Sequence, residues 1–516
     1  MKNKKYILSL LAATTLSLTG CGDFLEPDSK SEFVPDHATS LNELLLGEAY
    51  QRNDMEGFNI FLGLMDDDIE AAPYQTPADG FDANKYLASF TWQPDMYQMM
   101  EEANSGHINI YERYYEVILG ANAVIDYIPE VNDTELNINK VKAQAYALRG
   151  FYYFNLVNLF GQPYNVNPEA LGVPLKLNSG IEESNDYLAR KTVGEVYKQI
   201  LADLHLAEET YLAMPEDLQW EANFRTSLPM VQLTLSRVYL YMENWEEAAK
   251  YAQKVMENDN FRLFDLNTIT DEISYVVYPA YSSSETIWPY GSISDMFEWT
   301  HDYANLTNSI TGKKMHAYFQ ASEDLLGTYD DYDLRLLRYI VQAPNPADGS
   351  YMYMAYGKVN VGYTYFLPEN ASGVFGRSLR LSEAYLNYME ACAMIGGNRT
   401  DDAIAALNDL REKRFDPEDF EELEFDNNDE LLEFIKDERR RELCFEGHRW
   451  FDLRRWGMPS ITHTWHNDAS SSSTYRLQEG DLQYTLPIPD EAMEMNGSLI
   501  QNELAGKRYP ENTTNE

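Results

Sequence analysis

Along most of this chain apolar residues return every three or four positions, with polar residues filling the intervals. From Thr192 to Leu212 the recurring positions are Val193, Val196, Tyr197, Ile200, Leu204 and Ala207. That is the spacing of an amphipathic helix with one buried face. Thr192 is followed three residues later by Glu195. This pair predicts a capping box, in which hydroxyl and carboxylate each accept a backbone N–H left unpaired in the first helical turn.

The pattern also repeats on a larger scale. Between Leu228 and Asp259, the residues Leu235, Ser236, Tyr239 and Ala248 take the apolar, small, aromatic and small positions of a tetratricopeptide repeat. Small side chains there let the two helices of a hairpin approach closely. The bulky aromatic that often opens such a repeat is replaced by Gln232. A second copy runs from Arg377 to Lys413, where Ala391 and Ala403 keep the separation of Ser236 and Ala248, and Gly396-Gly397 supplies the turn. Lys142–Gly161 and Val193–Leu212 predict a third pair, split by a Pro- and Asn-rich insertion from Gln162 to Arg190.

These readings predict a mainly α fold: a tetratricopeptide-like helical-repeat scaffold over residues 41–262 and 377–460. Two zones break the period. Residues 263–376 are rich in Tyr, Gly, Ser and Pro, with short helical stretches such as Ser322–Ile340, and residues 461–516 include the run Ser470–Ser473. Both read as irregular, forming a loop-rich second subdomain of the kind that carries binding residues.

The N-terminus changes the picture. Lys2, Lys4 and Lys5 precede a short apolar run from Tyr6 to Leu18, too short to span a bilayer comfortably, so residues 1–20 read as a secretory signal. Leu18-Thr19-Gly20-Cys21 resembles a bacterial lipobox, which implies lipidation at Cys21. Acyl chains there would anchor the protein to a membrane without spanning it. Residues 21–40, polar and punctuated by Pro, read as a tether.

Charge comes next. The formal net charge is -44, and removing residues 1–20 takes away three lysines and no acid, leaving -47. Such a field repels nucleic acid and favours neutral ligands. One segment, RRRELCFEGHRWFDLRRWG from Arg439 to Gly457, concentrates arginine and tryptophan. Counted from Asp437, its six arginines meet five acids, so it offers no net positive surface for counterion release. It reads as a structural joint, with Asp429 as helix cap, Gly447 as an αL turn, and Trp450, Phe451 and Trp456 entering the core. Cys392 and Cys444 sit in helix-like apolar contexts and read as reduced core cysteines.

The lipobox, the stretch AYALRGFYYFNLVNLFGQPYN at Ala145–Asn165, the helical repeats, the Arg439–Gly457 segment and LPIPDEAMEMNGSLIQN at Leu486–Asn502 together resemble the SusD/RagB family. The resemblance implies a lipoprotein on the outer face of an outer membrane. Such a protein would capture glycan and deliver it to a SusC-like TonB-dependent transporter. It implies binding without catalysis and no cofactor. A peptide-binding import component, as in the RagB branch, and a surface glycoside hydrolase are the alternatives. A hydrolase would need a carboxylate pair that sequence cannot display.

Sugar rings present an apolar C–H face to aromatic rings and a polar rim to amides and carboxylates. Helical tyrosines such as Tyr152, Tyr153 and Tyr239 read as core. Aromatics in irregular stretches are the stacking candidates: Trp92, Trp288 and Trp299 first, with Tyr74, Tyr97, Tyr278, Tyr290 and Tyr303, and with Phe81 and Tyr281 in the same stretches. Asn104, Asn109 and Asn305 are the polar candidates. Asp66-Asp67-Asp68 with Glu70, and Asp330-Asp331 with Asp333, carry oxygen ligands that structural calcium could use, without EF-hand spacing. His463 and His466 form a sparse pair for any metal.

Overall fold

The computed structural model describes residues 35–51, 58, 61–72, 84–103, 109–180, 188–270, 278, 280–292, 295, 318–344, 351–354, 358, 375–468 and 470–515. The signal, Cys21, Tyr74, Phe81, Asn104, Trp299, Tyr303 and Asn305 lie outside the described residues.

Besides short helices of four to six residues, the described residues form α1 (Ala38–Glu48), α2 (Asn84–Phe90), α3 (Met96–Glu102), α4 (Ile110–Tyr127), α5 (Glu135–Phe160), α6 (Val193–Leu212), α7 (Leu228–Tyr241), α8 (Trp245–Met256), α9 (Leu381–Ile395), α10 (Arg399–Glu412), α11 (Asn428–Leu443) and α12 (Arg449–Arg455). Helices α1 and α4 to α10 stack in order, each on the next. Helix α8 packs directly against α9 although residues 257–380 separate them, so the scaffold closes in space around a long excursion. The three predicted hairpins are α5–α6, α7–α8 and α9–α10.

Local chemistry explains these elements. The Thr192 hydroxyl accepts from Glu195 N–H at 3.1 Å and the Glu195 carboxylate accepts from Thr192 N–H at 2.9 Å, completing the capping box. Ser236 and Ala248 are fully buried, and the Ser236 hydroxyl donates to the Ala248 carbonyl at 3.0 Å, so the small pair lies in direct contact between α7 and α8. Gly396 and Gly397 both have positive φ, 72° and 63°, which turns the chain from α9 into α10. Gln232, buried where an aromatic was expected, donates instead to Glu208 on α6. The first cap of α11 is Asn427, whose side chain accepts from Glu430 N–H at 2.9 Å. Asp429 lies inside the helix, because two adjacent Asn residues reach the cap position first.

The strands are short: β1 (Ile69–Ala71), β2 (Thr286–Tyr290), β3 (Phe319–Ala321), β4 (Val341–Pro344), β5 (Tyr351–Met354), β6 (Arg377–Arg380), β7 (Ile461–Asp468), β8 (Ser471–Leu477) and β9 (Asn512–Asn515). All described pairings are antiparallel: β1 with β3, β2 with β6, β4 with β5, and a three-stranded β7-β8-β9 sheet. Most of the serine run expected to be irregular, Ser471–Ser473, therefore opens strand β8. The legible signal lies in its partner strand β7, where Ile461, His463 and Trp465 point inward and Thr462 and Thr464 outward, a period-two pattern.

The arginine-rich segment is the hub of a buried ion network. Both α11 and α12 end in it. Arg439 donates to Asp452 (2.8 Å), Arg440 to Asp68 (2.9 Å) and Asp324 (2.6 Å), Arg449 to Asp67 (2.6 and 2.8 Å), and Arg455 to Asp452 (2.9 Å) and Glu390. Glu442, fully buried, accepts from Arg380 (2.5 Å), Arg414 (2.9 Å) and Arg335 (3.1 Å). Only part of the counter-charge lies within the segment itself; the rest arrives from residues 67–68, 324 and 390. The network bolts the excursion of residues 257–380 onto the scaffold, a use suited to the rigid guanidinium fork. Trp450 is buried as expected, while Phe451 and Trp456 are half-buried.

Two sequence candidates are absorbed here. Asp67 and Asp68 are engaged by Arg449 and Arg440, and Asp333 caps the short helix Leu334–Arg338 while pairing with Arg335. His463 stacks on Phe90 and Trp92 at 4.2 Å each, with Nδ1 2.7 Å from the Phe90 carbonyl and Nε2 3.0 Å from the Asp66 carbonyl. Burial lowers the imidazole to about 4, so the neutral ring donates to one of these carbonyls and is enclosed by main chain on both sides. Among the described residues no group of three or more His, Cys, Asp or Glu could hold a metal. Cys392 and Cys444 are free and buried. No described helix is long and apolar enough to cross a membrane.

Candidate functional site

Trp92 opens the connection between α2 and α3 with φ of 51°, an unusual backbone for a bulky residue. This turn throws its indole inward: the ring is 0% exposed and Nε1 donates to the Met65 carbonyl at 2.8 Å. Trp288 lies in β2, also buried, edge-on to Phe151 and stacked on Tyr290, with Nε1 donating to the Phe224 carbonyl at 2.7 Å. Tyr278 is fully buried, its hydroxyl 2.5 Å from that of Tyr339. These three rings face the core and are not stacking platforms. The Thr286–Tyr290 run, rich in β-branched and aromatic residues, was a strand signal. Tyr290 is half-buried and packs on Phe151 and Trp288.

Tyr97 and Asn109 are brought together. The turn after Trp92 is tied to the C-terminal segment by Gln93, which donates to the Arg508 carbonyl (3.2 Å), and by Arg508, which donates to the Trp92 carbonyl (2.8 Å). Helix α3 follows and places Tyr97, Gln98 and Glu101 along one wall. The opposite wall is the closing segment Leu486–Asn502, held rigidly in two ways. Gln501 accepts from Ile488 N–H (2.9 Å) and donates to the Ile488 carbonyl (2.7 Å). Arg190 donates to the Ile500 carbonyl and the Asn502 amide oxygen (2.8 Å each), and Asn502 donates to the Phe160 and Leu486 carbonyls (3.0 and 2.8 Å).

Between the walls is an open cavity of about 430 Å³. Tyr97, Gln98, Glu101, Asp95, Ile488 and Gln501 line it, with Asp490 and Glu491 at the start of a short helix, Asp490–Met495. The Tyr97 hydroxyl and Asp95 Oδ1 are buried with no hydrogen-bond partner among the described residues. Burial pushes the Tyr97 hydroxyl well above the ordinary tyrosine range, so it is a neutral donor. Asn109 frames the rim rather than offering a free amide: its oxygen accepts from Glu112 N–H (3.0 Å) as the cap of α4, and its nitrogen donates to Glu491 (3.0 Å). Beyond that Asn109–Glu491 link lies a second, apolar groove of about 650 Å³, lined by Tyr111, Tyr115, Leu119, Leu188 and Met495.

The arrangement offers an apolar ring and stem surface beside amides and carboxylates, the mix a sugar requires. Gln98, Glu101, Gln501 and Ile488 were missed from sequence. The signal for half of them was present, since LPIPDEAMEMNGSLIQN stood out as a segment but not as a wall.

Two family models match complementary parts of the chain: the SusD family over residues 343–504, and "Starch-binding associating with outer membrane" over residues 24–240. The chain is 26% identical over 428 residues to SusD-like protein P2 of Formosa agariphila, covering 75% of this chain and 78% of that protein. It is 24% identical over 435 residues to SusD-like protein P38 of the same organism, covering 73% and 78%. Among solved structures, a SusD superfamily protein from Bacteroides thetaiotaomicron superposes with a TM-score of 0.67 at 22% identity, covering 90% of this chain and all of that one. A SusD-like carbohydrate binding protein from Bacteroides vulgatus gives 0.65 at 20% identity, covering 90% and 98%.

Proposed function

Since the chain belongs to the SusD/RagB family, we propose that it is a cell-surface glycan-binding lipoprotein that holds oligosaccharide in the Tyr97 cavity and passes it, chemically unchanged, to a SusC-like TonB-dependent transporter. The observation that carries this reading is the cavity itself. Tyr97, Gln98, Glu101 and Gln501 set an aromatic ring among amides and a carboxylate around an open space of about 430 Å³. A ring in such a setting covers the C–H face of a sugar while the polar groups meet its hydroxyls. The fold of the chain supports the same reading, because its scaffold is that of SusD superfamily structures.

Outer-membrane association follows the description of the family model that matches residues 24–240. Of the finer placement, lipid on Cys21 rests on the Leu18–Cys21 motif and on the basic and apolar run before it, and exposure at the outer face is what the SusD/RagB resemblance implies.

The test is native gel retardation and calorimetry with a panel of oligosaccharides and peptides, on protein starting after Cys21. Retardation by a glycan without new reducing ends is the expected result. Binding of peptides alone would move the reading to a peptide importer, and new reducing ends would make the protein a hydrolase.

A further inference from the structure

Away from the Tyr97 cavity, a small polar pit lies where α5, α7, β2, β6 and the turn Glu446–His448 meet. Arg237, Arg377, Tyr241, Tyr290, Glu446 and His448 contribute to its walls, and its volume is about 20 Å³. That is room for one body the size of a water molecule.

The charges around the pit are unequal in an informative way. Arg237 is fully engaged, with Nε and Nη2 on the two oxygens of Glu383 at 2.5 and 2.6 Å. Glu446 is engaged too: Lys358 and Arg380 donate to one oxygen at 2.7 Å each, and Arg380 Nε donates to the other at 2.9 Å. Arg377 differs. Its Nη2 donates to the Asp295 carbonyl at 3.0 Å, but Nη1 is buried with no partner, and the guanidinium pairs with no carboxylate among the described residues. The residue is only 9% exposed.

Gly447 shows how closely the guanidinium is held. Its φ is 79°, and a β-carbon there would collide with Arg377 Nη1. The His448 imidazole is kept far below its ordinary range by burial and by the fields of Arg237, Arg439, Arg380 and Arg377. It therefore lines the pit as a neutral ring that can donate one N–H. Thus in a chain of strongly negative net charge this buried spot is left with positive potential, and a buried cation without a counter-charge is costly.

We propose that this pit binds a single monatomic anion, chloride or bromide, against Nη1 of Arg377 beside the Tyr241 and Tyr290 rings and His448. A water molecule would satisfy the N–H but leave the guanidinium charge uncompensated. A carboxylate or phosphate is too large for the space. The bound ion would tie the turn before α12 to β2 and β6 at the joint between scaffold and excursion.

Crystals of the protein starting after Cys21, soaked in sodium bromide, test this by anomalous diffraction. An anomalous peak within hydrogen-bond distance of Arg377 Nη1 is expected. Thermal unfolding in millimolar sodium chloride or bromide, against sodium gluconate at equal ionic strength, should show a saturable upward shift. Arg377→Met should abolish that shift. Bromide peaks at surface sites only, density at Nη1 fitting water alone, or equal unfolding temperatures in chloride and gluconate would each overturn the proposal. The diffraction arm uses the unmodified chain, so it decides the matter even if Arg377→Met fails to fold.

Discussion

Arg440 Nε donates to Asp68 Oδ1 at 2.9 Å, joining two positions 372 residues apart in the chain. Arg440 is 6% exposed and Asp68 2%. Removing one partner of such a pair leaves the other charged and buried, which costs about 3–5 kcal/mol. Arg440→Met should therefore lower the chemical-denaturation midpoint by an amount in that range. Replacing both residues with apolar ones of similar volume should recover much of the loss. Loss of glycan affinity with unchanged stability in Arg440→Met would contradict the structural role.

Arg449 gives the same test at a different radius. It is half-buried and holds Asp67 through two hydrogen bonds at 2.6 and 2.8 Å. Burial alone would raise the Asp67 carboxyl, but the Arg449 hydrogen bonds and the charges of Arg449 and Arg440 bring it down to about 2. Arg449→Gln should destabilise the fold by about 1–3 kcal/mol while the affinity of the folded fraction for oligosaccharide stays the same, measured by calorimetry on protein well below its unfolding temperature.

How much of this was legible in the sequence depends on the range of the interaction. Helices announced themselves through local spacing, and Thr192 with Glu195 gave a cap that needs only three residues to define. Ser236 and Ala248 were legible as a pair because a repeat fixes their separation. The ion network was legible only as a surplus of arginine: the partners Asp67, Asp68, Glu285 and Glu390 lie up to hundreds of residues away, and nothing local points to them. The site was legible in part for the same reason. Trp92 and Trp288 looked exposed because their segments lack helical period, yet a positive φ in one case and a buried strand in the other turn both rings inward. Tyr97 lay on a short helix whose facing wall is supplied by Leu486–Asn502 at the other end of the chain.

Acid should expose the network in a definite window. Burial would raise the Glu438 carboxyl, but Arg335 and Arg441 outweigh it and hold it at about 2, against an ordinary value of 4.5. A carboxylate depressed in the folded state contributes its full stabilisation above the unfolded value, and that contribution is lost as pH falls from about 4.5 toward 2. At 1.36 kcal/mol per unit the loss is about 3 kcal/mol for this group. Glu438→Gln should lower stability at pH 7 and flatten the slope between pH 4.5 and 2, as read from urea unfolding at a series of pH values. An unchanged slope would remove Glu438 from the account of acid sensitivity.

Substitutions in the cavity should separate binding from folding. Gln98 and Glu101 are exposed on α3 and line the cavity, so Gln98→Ala and Glu101→Ala should leave the unfolding temperature within about half a kcal/mol equivalent of the parent. Each should weaken oligosaccharide binding by about 10-fold, the loss expected for about 1.4 kcal/mol. Tyr97→Ala should weaken it further, because it removes the aromatic wall of the cavity. Asn109→Ala is a poor probe: it also removes the cap of α4, at a cost of about 1 kcal/mol.

The last prediction concerns which glycans the cavity accepts. Asp95, Glu101, Asp490 and Glu491 line it, Lys507 pairs with Asp95 at 3.5 Å, and none of the described lining residues is basic. An acidic sugar entering there would meet these carboxylates in addition to the field of a chain at -44. Like charges in partly desolvated surroundings are repelled more strongly than in bulk water. Neutral oligosaccharides should therefore bind at least about 10-fold more tightly than uronic-acid oligomers of the same length, a difference of about 1.4 kcal/mol. The gap should narrow as ionic strength rises from about 0.01 to 0.15 M, where the screening length falls from roughly 30 to 8 Å. Glu101→Gln with Glu491→Gln should narrow it as well, by removing charge at the opening while keeping the shape. Calorimetry with neutral and uronate oligomers at two salt concentrations decides it, and equal affinities in low salt would show that the lining carboxylates do not face the ligand.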